Sequence, residues 1–600
     1  MNPVMSMKAA SEHVRFLVRI SRDGAIRYAT DCGAAEPESH LDCLVGFRGF
    51  LADRTELMGS LGVKAADLLS DAHLLAAAYR RWGLNLQEKV LGEYAAFVAD
   101  LRDRSLLLTH DSLGLGQMFY ATDEQGIVFS THLSDLIDIA AASELDLEYI
   151  ATYLARGYLT TARTPYRSIQ RLLPGMSLTW KRGAHRCVRT WDPTDVRPLD
   201  CRNDEEYEER FRWLLDSALR ATVNPNGATW VALSGGLDSS TILSVAGKLG
   251  LKNIGAHSMV SPSSPHGDES KWARAVVEEY NIPWHPVDSA GMLPFSVLPG
   301  EDHWQAEPSS GVISIKSQRL LDELFSSHGV TSILTGHGGD TLLGADAGPV
   351  PAHLADLLFA GHPLRMLRGV HAWSTRHRER RSWLFLMTRG VLGPAWAHLR
   401  GHKFEADGAL AIPAWIDGDY VKRWNLLELS RRRFATRDRY PGRQEIWDSV
   451  WSHAVSGGMA RDHAGYDVRR PFLYRPFFEF MYAVPGDQRV RPRCHRYLQR
   501  RALKGVLPEV VRRRGNKVFG TWALIEGLTR SRGWVEYLSD DPEMAKLGIA
   551  SRAGWHEAVQ QALIGNTAGD RFFFTGVALE AWLKGRSGWR PRGRQMAAGN

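Results

Sequence analysis

The segment LSGGLDSST, residues 233–241, combines glycines, hydroxyls and one carboxylate at the point where an apolar run gives way to a helical pattern. Gly235 and Gly236 allow backbone N–H groups to point into one concavity. The hydroxyl donors beside it are Ser234, Ser239 and Ser240. The amino terminus of the following helix adds a partial positive charge. These features predict a cradle for phosphate groups, and the alternative is an ordinary glycine turn that caps a helix.

The order SGGLDS resembles the pyrophosphate loop of enzymes that split ATP into AMP and pyrophosphate. It differs from a Walker phosphate loop, because no Gly-Lys-Ser/Thr triplet follows the glycines. Asp238 inside such a cradle would repel phosphate groups, and a Mg²⁺ ion held by carboxylates and phosphate oxygens removes that conflict. The segment therefore predicts that ATP and Mg²⁺ bind here, with Asp238 as a metal ligand.

A second segment, TGHGGDT at residues 335–341, supplies the other predicted metal ligand. It follows the apolar run TSILT, and its three glycines allow the backbone to turn close to a ligand. Asp340 is predicted to be the second Mg²⁺ carboxylate, with a turn-stabilising side chain as the alternative. The predicted nucleotide contacts are Leu233, Ser234, Gly235, Gly236, Asp238, Ser239, Ser240 and Gly336.

Both segments lie in a part of the chain where strand and helix patterns alternate. From about residue 205 an amphipathic helix, the strand ATWVAL, a helix, the strand NIGAHSMV and another helix follow one another. This alternation predicts a parallel sheet with helices on both faces, and such sheets bind ligands at the carboxyl ends of their strands. We therefore expect the two segments to meet at that edge.

Residues 14–135 consist of short alternating apolar runs separated by turn residues, which predict a strand-rich layer. One helical insert is predicted near residues 64–82. The apolar positions at helical spacing in it are Ala65, Leu68, Leu69, Leu74, Leu75 and Ala78. Residues 189–204 contain two prolines and no periodicity, and they predict a linker. We therefore place the domains at residues 1–200 and 205–600.

The composition excludes several classes of protein. Of 600 residues, 44% are hydrophobic, which is enough for two or more domain cores. The 74 basic and 67 acidic residues leave a charge of +7, with basic runs at 376–381, 431–433 and 512–514. No nucleic-acid-binding signature accompanies these runs, so they predict a solvated face or a cradle for an anion, and no nucleic acid partner.

The sequence also predicts a cytoplasmic protein without an integral membrane segment. No window approaches the roughly 18 apolar residues that span a bilayer, and the start of the chain lacks the pattern of a secretion signal. Five cysteines lie far apart without a Cys-x-x-Cys pair. They predict reduced, structural thiols instead of a zinc site or a disulfide framework.

Several segments resemble the asparagine synthetase B family, in the family's order. THDSLGLGQMFYA and RSIQRLLPGMSLTW resemble its glutaminase-like domain, and SGGLDSS, TGHGGD, RDHAGYDVRRPFL and LPEVVRRRGNKVFG resemble its synthetase domain. The resemblance covers about residues 20–525. It implies an α/β protein with an inactive, Ntn-hydrolase-like αββα domain. It also implies a second domain that is built on a doubly wound parallel sheet with helical additions. That sheet is of the adenine-nucleotide alpha-hydrolase-like (PP-loop ATP pyrophosphatase) type.

The first half departs from the family where glutamine would be hydrolysed. Glutamine-hydrolysing members have a cysteine directly after the initiator Met, whereas residue 2 here is Asn. The family's Asn-Gly-Glu glutamine pocket, expected near GFRGFLADRTEL, is also missing. The resemblance therefore implies a structural relic that releases no ammonia from glutamine.

His337 is the second departure. Asparagine synthetases have Glu at this place in the turn, β-lactam synthetases have Tyr, and lasso peptide cyclases resemble this sequence in having His. We expect His337 to accept a proton from an amine that attacks an acyl-adenylate, for which an unperturbed imidazole pKa of about 6.5 is suitable. The alternative is a histidine that only shapes the turn.

Two further catalytic candidates come from the family motifs. Lys517 matches a family lysine that stabilises charge on phosphate and on the tetrahedral intermediate, and a solvated lysine is the alternative. Asp467 and Thr341 stand where the family often has Glu, and Asp467 is the third catalytic candidate.

Through His337 the sequence resembles lasso peptide macrolactam synthetases. The resemblance implies that ATP adenylates an Asp or Glu side chain of a leader-processed precursor peptide. The peptide's N-terminal amine then closes an isopeptide ring, and a leader peptidase is an expected partner. Alternatives with the same chemistry are a β-lactam synthetase relative and an ammonia-using asparagine synthetase. Alternatives of another class are a tRNA-modifying enzyme and a catalytically silent peptide-binding scaffold, and the intact Asp238 and Asp340 argue against silence.

Overall fold

The structure is a computed structural model, and its helices and strands fall into an antiparallel first half and a second half built on a parallel sheet. It describes residues 16–28, 37–64, 69–139, 144–157, 161–261, 268–300, 305–344, 352–376, 381–404, 412–433, 435–456, 465–515, 521–566, 571–588 and 597–598.

Seventeen strands are present in the described part of the chain. They are β1 Leu17–Ser21, β2 Ile26–Tyr28, β3 Glu38–His40, β4 Cys43–Leu51, β5 Gly92–Asp100, β6 Ser105–His110, β7 Phe119–Asp123, β8 Gly126–Ser130, β9 Gln170–Arg171, β10 Met176–Lys181, β11 Ala184–Arg189, β12 Ala228–Ala232, β13 Ile254–Val260, β14 Trp284–Asp288, β15 Val330–Leu334, β16 Asp467–Arg469 and β17 Ala597–Ala598.

The α-helices are distributed over both halves. They are α1 Arg54–Leu61, α2 Asp71–Trp82, α3 Leu86–Lys89, α4 Leu133–Ile139, α5 Leu147–Arg156, α6 Asp204–Thr222, α7 Leu237–Lys248, α8 Ser270–Tyr280, α9 Ile315–Ser327, α10 Gly339–Leu343, α11 His353–Phe359, α12 Pro363–Arg376, α13 Trp383–Phe385, α14 Gly393–Leu399, α15 Gly418–Trp424, α16 Leu426–Arg431, α17 Pro441–Val455, α18 Arg475–Ala483, α19 Gly486–Arg489, α20 Tyr497–Ala502, α21 Glu509–Arg512, α22 Thr521–Arg530, α23 Arg532–Ser539, α24 Glu543–Lys546, α25 Arg552–Leu563 and α26 Arg571–Gly588.

The first half forms two antiparallel sheets, in the orders β17-β2-β1-β8-β7-β9 and β11-β10-β6-β5-β4-β3. The edge strand β17 of the first sheet comes from the second half of the chain and pairs with β2. Side chains alternate between the faces of a strand, so Phe97 of β5 enters the core between the sheets while Ala96 and Val98 face the other way. Phe97 meets Phe16 and Phe129 edge to face, with ring centroids 5.2 and 5.1 Å apart. Helices α1 and α2 cover one outer face and α4 and α5 the other, so the layers run helix, sheet, sheet, helix.

The helical insert predicted near residues 64–82 corresponds to α2, and a separate helix, α1, ends before the predicted range begins. Gly62 ends α1 in a left-handed conformation, and the Ser70 hydroxyl caps α2 by accepting the N–H of His73. Residues 65–68 lie outside the described residues. The predicted helix is therefore confirmed over residues 71–82, but its predicted start is wrong, because the side chain of Ser70 caps the helix there. Three of the predicted core positions are fully buried, namely Leu74, Leu75 and Ala78.

The second half is built on a five-stranded parallel sheet in the order β14-β13-β12-β15-β16. The chain proceeds from β12 to β13 and β14 on one side and then returns to β15 on the other side of β12. Loops that leave two neighbouring strands at such a reversal diverge and leave a crevice at the carboxyl edge. The predicted cradle follows β12 and the glycine turn follows β15, so both segments open at this crevice.

The predicted linker packs against the second half of the chain. Trp191 donates its indole N–H to Glu479 at 2.9 Å and meets Trp447 edge to face at 5.9 Å. The halves also touch directly, since the side-chain amide of Gln117 donates to the carbonyl of Ala454 at 2.6 Å. The boundary at residues 200–205 stays a prediction. Within the described residues, no helix combines the length and apolar character that a membrane crossing requires.

Candidate active site

The predicted phosphate cradle is a turn that runs directly from β12 into α7. Gly235 has φ +72°, and a Cβ there would lie 2.7 Å from the carbonyl oxygen of Glu269, so only glycine fits. The Ser239 hydroxyl accepts the N–H of Ser234 at 3.1 Å. The Ser234 hydroxyl in turn accepts the N–H of Gly236 at 3.3 Å. These bonds hold the turn in shape before any ligand arrives.

The predicted cradle residues differ in how far solvent reaches them. Ser234 is exposed, whereas Ser239 is buried. Ser240 is fully buried, and its hydroxyl has no hydrogen-bond partner among the described residues. Leu233 is buried, and its N–H donates to the carbonyl of His257 at 2.8 Å. The accessible donors therefore lie at the amino end of the segment.

Arg514 anchors the cradle from the protein side. It donates Nη1–H to the carbonyl oxygen of Gly235 at 2.8 Å and pairs with the carboxylate of Glu269. Its guanidinium carbon also lies 3.7 Å from the centroid of the Trp272 ring. Because the carbonyl of Gly235 is bonded to a buried arginine, it does not oppose a bound anion. The prediction of a solvated face for the run at 512–514 is therefore wrong for Arg514, which is buried and positions the loop, while the alternative, a cradle for an anion, stays a prediction.

Asp238 and Asp340 converge on one guanidinium group. Arg496 donates Nε–H to Oδ1 of Asp238 at 2.8 Å and Nη2–H to Oδ2 at 2.7 Å. The same Nη2 also donates to Asp340, whose side chain is more than half exposed. Burial raises the pKa of Asp238, and the charge of Arg496 opposes that shift. The structure thus brings both predicted metal ligands together around a single cation.

This pair of carboxylates suits a magnesium ion that arrives with a nucleotide. Among the residues the structure describes, no group of three or more His, Cys, Asp or Glu side chains could hold a metal ion. Mg²⁺ does not require such a group, because in nucleotide sites it uses one or two carboxylates and completes its shell with water and phosphate oxygens. Asp238 and Asp340 would supply two carboxylates of that donor set if the side chain of Arg496 moved away from them.

The glycines of the turn allow it to pack against the cradle. A Cβ at Gly339 would lie 2.7 Å from Cγ of Asp238, and a Cβ at Gly336 would lie 3.2 Å from its Cβ. Gly338 has φ +84°, and a Cβ there would lie 2.7 Å from Cδ2 of Leu473. The glycine-rich composition of the turn is therefore explained by contact with Asp238 and with the neighbouring helical segment. Contact of Gly336 with the nucleotide stays a prediction.

His337 lies in this turn, and part of the residue is exposed to solvent. Its ring centroid is 5.8 Å from that of His453, with the two planes nearly perpendicular. Burial of the ring is the largest cause that lowers the pKa of His337, and the charges of Arg470 and His453 lower it further. The carboxylate of Asp340 opposes this shift in part, and the resulting pKa is about 4. The unperturbed pKa assumed from the sequence is therefore wrong. The imidazole is neutral at pH 7 and free to accept a proton, but it is a weaker base than assumed.

Asp467 lies apart from the carboxylate pair. It pairs with Ser332 in the register of β16 and β15, two residues before the carboxyl end of each strand. Arg469 donates to its carboxylate at 3.3 Å. The structure therefore does not bring Asp467 to the cradle, and its catalytic role stays a prediction. Lys517 lies outside the described residues.

The stretch where a glutamine pocket was expected instead contacts the second half. The guanidinium carbon of Arg469 lies 4.1 Å from the ring centroid of Phe50. Glu93 accepts the N–H of Arg470 at 2.7 Å and its Nη1–H at 2.6 Å. Burial raises the pKa of Glu93, and Arg470 opposes that shift. A cavity of about 90 Å³ between the halves is lined by residues that include Phe50, Glu93, Asp467 and Arg470.

Sequence reasoning missed Arg496 and Arg514. Arg496 lies in an arginine-rich stretch outside the quoted motifs, whereas Arg514 lies within LPEVVRRRGNKVFG, where only Lys517 was singled out as a site residue. Both are far along the chain from the residues they contact. A usable signal exists only for Arg496, because a buried carboxylate inside an anion cradle requires a cation, and an arginine can supply it as well as a metal.

Two family models match the chain. Residues 210–584 match the asparagine synthase family, and residues 50–191 match the glutamine amidotransferase domain. The first match covers more than half of the chain. These matches confirm the predicted α/β organisation, with a glutamine-amidotransferase-like part followed by an asparagine synthase part.

Curated relatives are similar at low identity. The amidase chry2 of Gibberella zeae is 23% identical over 50% of this chain and 45% of its own length. Glutamine-hydrolyzing asparagine synthetase 1 of Bacillus subtilis is 25% identical over 33% of this chain and 32% of its own length. Glutamine-hydrolyzing asparagine synthetase 3 of the same organism is 22% identical over 73% of this chain and 69% of its own length. The chain thus spans less than half the length of the first two relatives.

Proposed function

The chain belongs to the asparagine synthase family, and from that premise we propose that it is a ligase that uses ATP to form an amide bond and releases AMP and pyrophosphate. One observation carries the proposal. Asp238 and Asp340 meet beside the cradle, at the carboxyl edge where the strand order reverses. When bound there, Mg²⁺ would neutralise charge on the phosphates.

The proposed reaction has two steps. In the first, a carboxylate oxygen of the substrate attacks the α-phosphorus of ATP, and the bond from that phosphorus to pyrophosphate breaks. In the second, an amine nitrogen attacks the acyl carbon, the bond to AMP breaks, and the nitrogen gives up a proton. His337 is the side chain we assign to that proton, because its ring is neutral at pH 7 and lies in the turn that ends at Asp340.

We propose further that the amine and the carboxylate belong to one peptide, so that the product is a macrolactam of the lasso type. Two features support the proposal that the product is a macrolactam. His337 stands where the resemblance to lasso peptide cyclases places a histidine. Arg48 and Phe50 occupy the stretch expected to bind glutamine, and Phe50 packs on Arg469, which agrees with an amine that does not come from glutamine. A leader-processed precursor and a leader peptidase are the proposed partners.

Product analysis separates the narrow proposal from its rivals. The enzyme is incubated with Mg²⁺, ATP and a linear core peptide carrying a free amine and an internal Asp or Glu. Loss of one water from the peptide mass, together with AMP formation, is the expected result. AMP formation with aspartate and ammonium, but not with the peptide, would overturn the macrolactam proposal and leave amide ligation standing. Glutamate release from added glutamine would contradict the assignment of the first half.

A further inference from the structure

Exposed apolar side chains are concentrated on the helices that follow the candidate active site. Eighteen large hydrophobic side chains are exposed in the described part of the chain, and eight of them lie between residues 358 and 399. The most exposed of the eight are Leu364 at 69%, Leu384 at 69%, Trp396 at 59%, Leu399 at 58% and Leu392 at 53%. Single exposed leucines are ordinary, but a concentration in one segment marks an interaction surface.

Helix α12 has apolar residues on two opposite sides. Met366, Val370 and Trp373 are buried in a small core with Leu386 and Val391, which fixes the inner side of the helix. The residues on its outer side, spaced by three and four positions, are Leu364, Leu367, Arg368 and His371, all of them exposed. The inner residues account for packing, so packing does not explain the outer leucines.

The following helical segment repeats this arrangement. Residues 383–399 are helical throughout, with a π-helix at Leu386–Leu392 between α13 and α14. The outer positions at intervals of three or four residues are Leu384, Thr388, Leu392, Trp396 and Leu399. This segment packs against α12. We call the exposed sides of the two elements together the outer face.

The outer face is also basic. Residues 353–403 contain nine Lys or Arg and two Asp or Glu. Of the two acids, Asp356 is turned inward and accepts the N–H of Gly442 at 2.6 Å, and Glu379 lies outside the described residues. Arg365, Arg368, Arg389 and Arg400 are exposed, and the guanidinium of Arg400 lies 4.5 Å from the centroid of the Trp396 ring. Leucine, tryptophan and arginine are therefore exposed together, without a described carboxylate among them.

We propose that the outer face binds the surface of an anionic membrane. Leucine and tryptophan enter the boundary between headgroups and acyl chains, while arginine remains at the phosphates. A lipid surface satisfies both kinds of side chain along the whole of residues 383–399, which as a helix extend about 25 Å. An acidic peptide would pair with the arginines and leave most of the leucines in water. The proposal is independent of the reaction assigned above.

Vesicle co-sedimentation of the full chain tests the proposal. Vesicles of phosphatidylcholine and phosphatidylglycerol in equal parts are compared with phosphatidylcholine alone. We expect binding to the anionic vesicles that weakens with added salt. The Leu384→Gln/Leu392→Gln/Trp396→Gln variant and the Arg389→Gln/Arg400→Gln variant should each bind at least about tenfold more weakly. Trp213→Gln is the matched control, because Trp213 is 68% exposed on α6.

Retained binding in both outer-face variants, or no binding by the unaltered chain, would overturn the proposal. A change of sedimentation coefficient in the triple variant without vesicles would also overturn it, because the face would then join two copies of the chain. Substrate-dependent exchange of pyrophosphate into ATP, measured without lipid, should be unchanged in every variant. That control shows that the variants fold, and it keeps membrane binding separate from catalysis.

Discussion

The guanidinium of Arg496 holds the carboxylate of Asp238 at two points, with Nε 2.8 Å from Oδ1 and Nη2 2.7 Å from Oδ2. The pair is largely buried, so each partner compensates the charge of the other. Arg496 precedes α20 with φ +53°, a conformation that is uncommon outside glycine. A magnesium ion on Asp238 and Asp340 would require the same oxygens. We therefore expect the arginine and the metal to exclude one another.

Replacing Arg496 should make the protein depend on Mg²⁺ for stability. In Arg496→Ala the buried carboxylate of Asp238 loses its partner, and breaking such a pair costs about 3 kcal/mol or more. Added Mg²⁺ should recover part of this loss in the variant and little in the unaltered protein. Thermal unfolding with and without Mg²⁺, in the absence of nucleotide, measures the difference. Arg389→Ala, on the outer face, is the control, and equal Mg²⁺ effects in all three proteins would refute the competition.

Asp238→Asn and Asp340→Asn should each abolish formation of AMP. An amide oxygen is a weaker ligand for Mg²⁺ than a carboxylate, and the metal contributes several kcal/mol to stabilising phosphate charge. The assay follows AMP release with a linear core peptide. Turnover of either variant at the rate of the unaltered enzyme would remove that residue from the metal site. Asp467→Asn is an informative companion, because its carboxylate lies away from the pair.

His337→Ala should slow amide formation more than adenylation. General-base assistance is commonly worth about 10²- to 10⁴-fold, and the amine loses its proton only in the second step. Exchange of labelled pyrophosphate into ATP, which reports adenylation, should survive in the variant. Both activities are measured on one preparation. An equal loss of both would identify His337 as a structural residue or a nucleotide-site residue.

Acid should destabilise the protein partly through His257. Burial, assisted by His285, lowers the pKa of His257 to about 4, whereas in the unfolded chain histidine titrates near about 6.5. Between about pH 6.5 and pH 4 the unfolded chain binds a proton at His257 that the folded protein does not bind. The contribution of neutral His257 to the free energy of unfolding is therefore complete above about pH 6.5 and decreases as the pH drops toward about 4. His257→Met should reduce this fall by up to roughly 3 kcal/mol. Unfolding midpoints across the pH series test it, with exposed His371→Met as control; parallel curves for both variants would contradict the expectation.

The parallel sheet and its crevice could be predicted from the sequence because their signals are local. ATWVAL and NIGAHSMV are short apolar runs that coincide with β12 and β13, and the glycines of SGGLDSS stand where the turn requires them. The prediction that the two glycine-containing segments meet is confirmed by the position of Gly339 against Asp238. These features depend on the order of residues within one or two elements.

The remaining features depend on contacts between distant parts of the chain. Arg496 reaches Asp238 from 258 residues away, and no property of the stretch around it distinguishes it from its neighbouring arginines. The pKa of His337 is lowered by Arg470 and His453, which only the fold brings near. The start of α2 at Asp71 was missed because apolar spacing continues across the capping serine, Ser70.

The contact of Glu93 with Arg470 bears on how the chain can be divided. A truncated protein that begins after the linker would retain Arg470 but lose Glu93, and Arg470 is only 3% exposed in the whole chain. The carbonyl of Val455 would lose Arg171, and Trp191 would no longer cover Trp447. An apolar and ionic surface that is now interior would face water. We therefore expect the second half to need the first half for stability, so that a chain cut at the linker folds poorly.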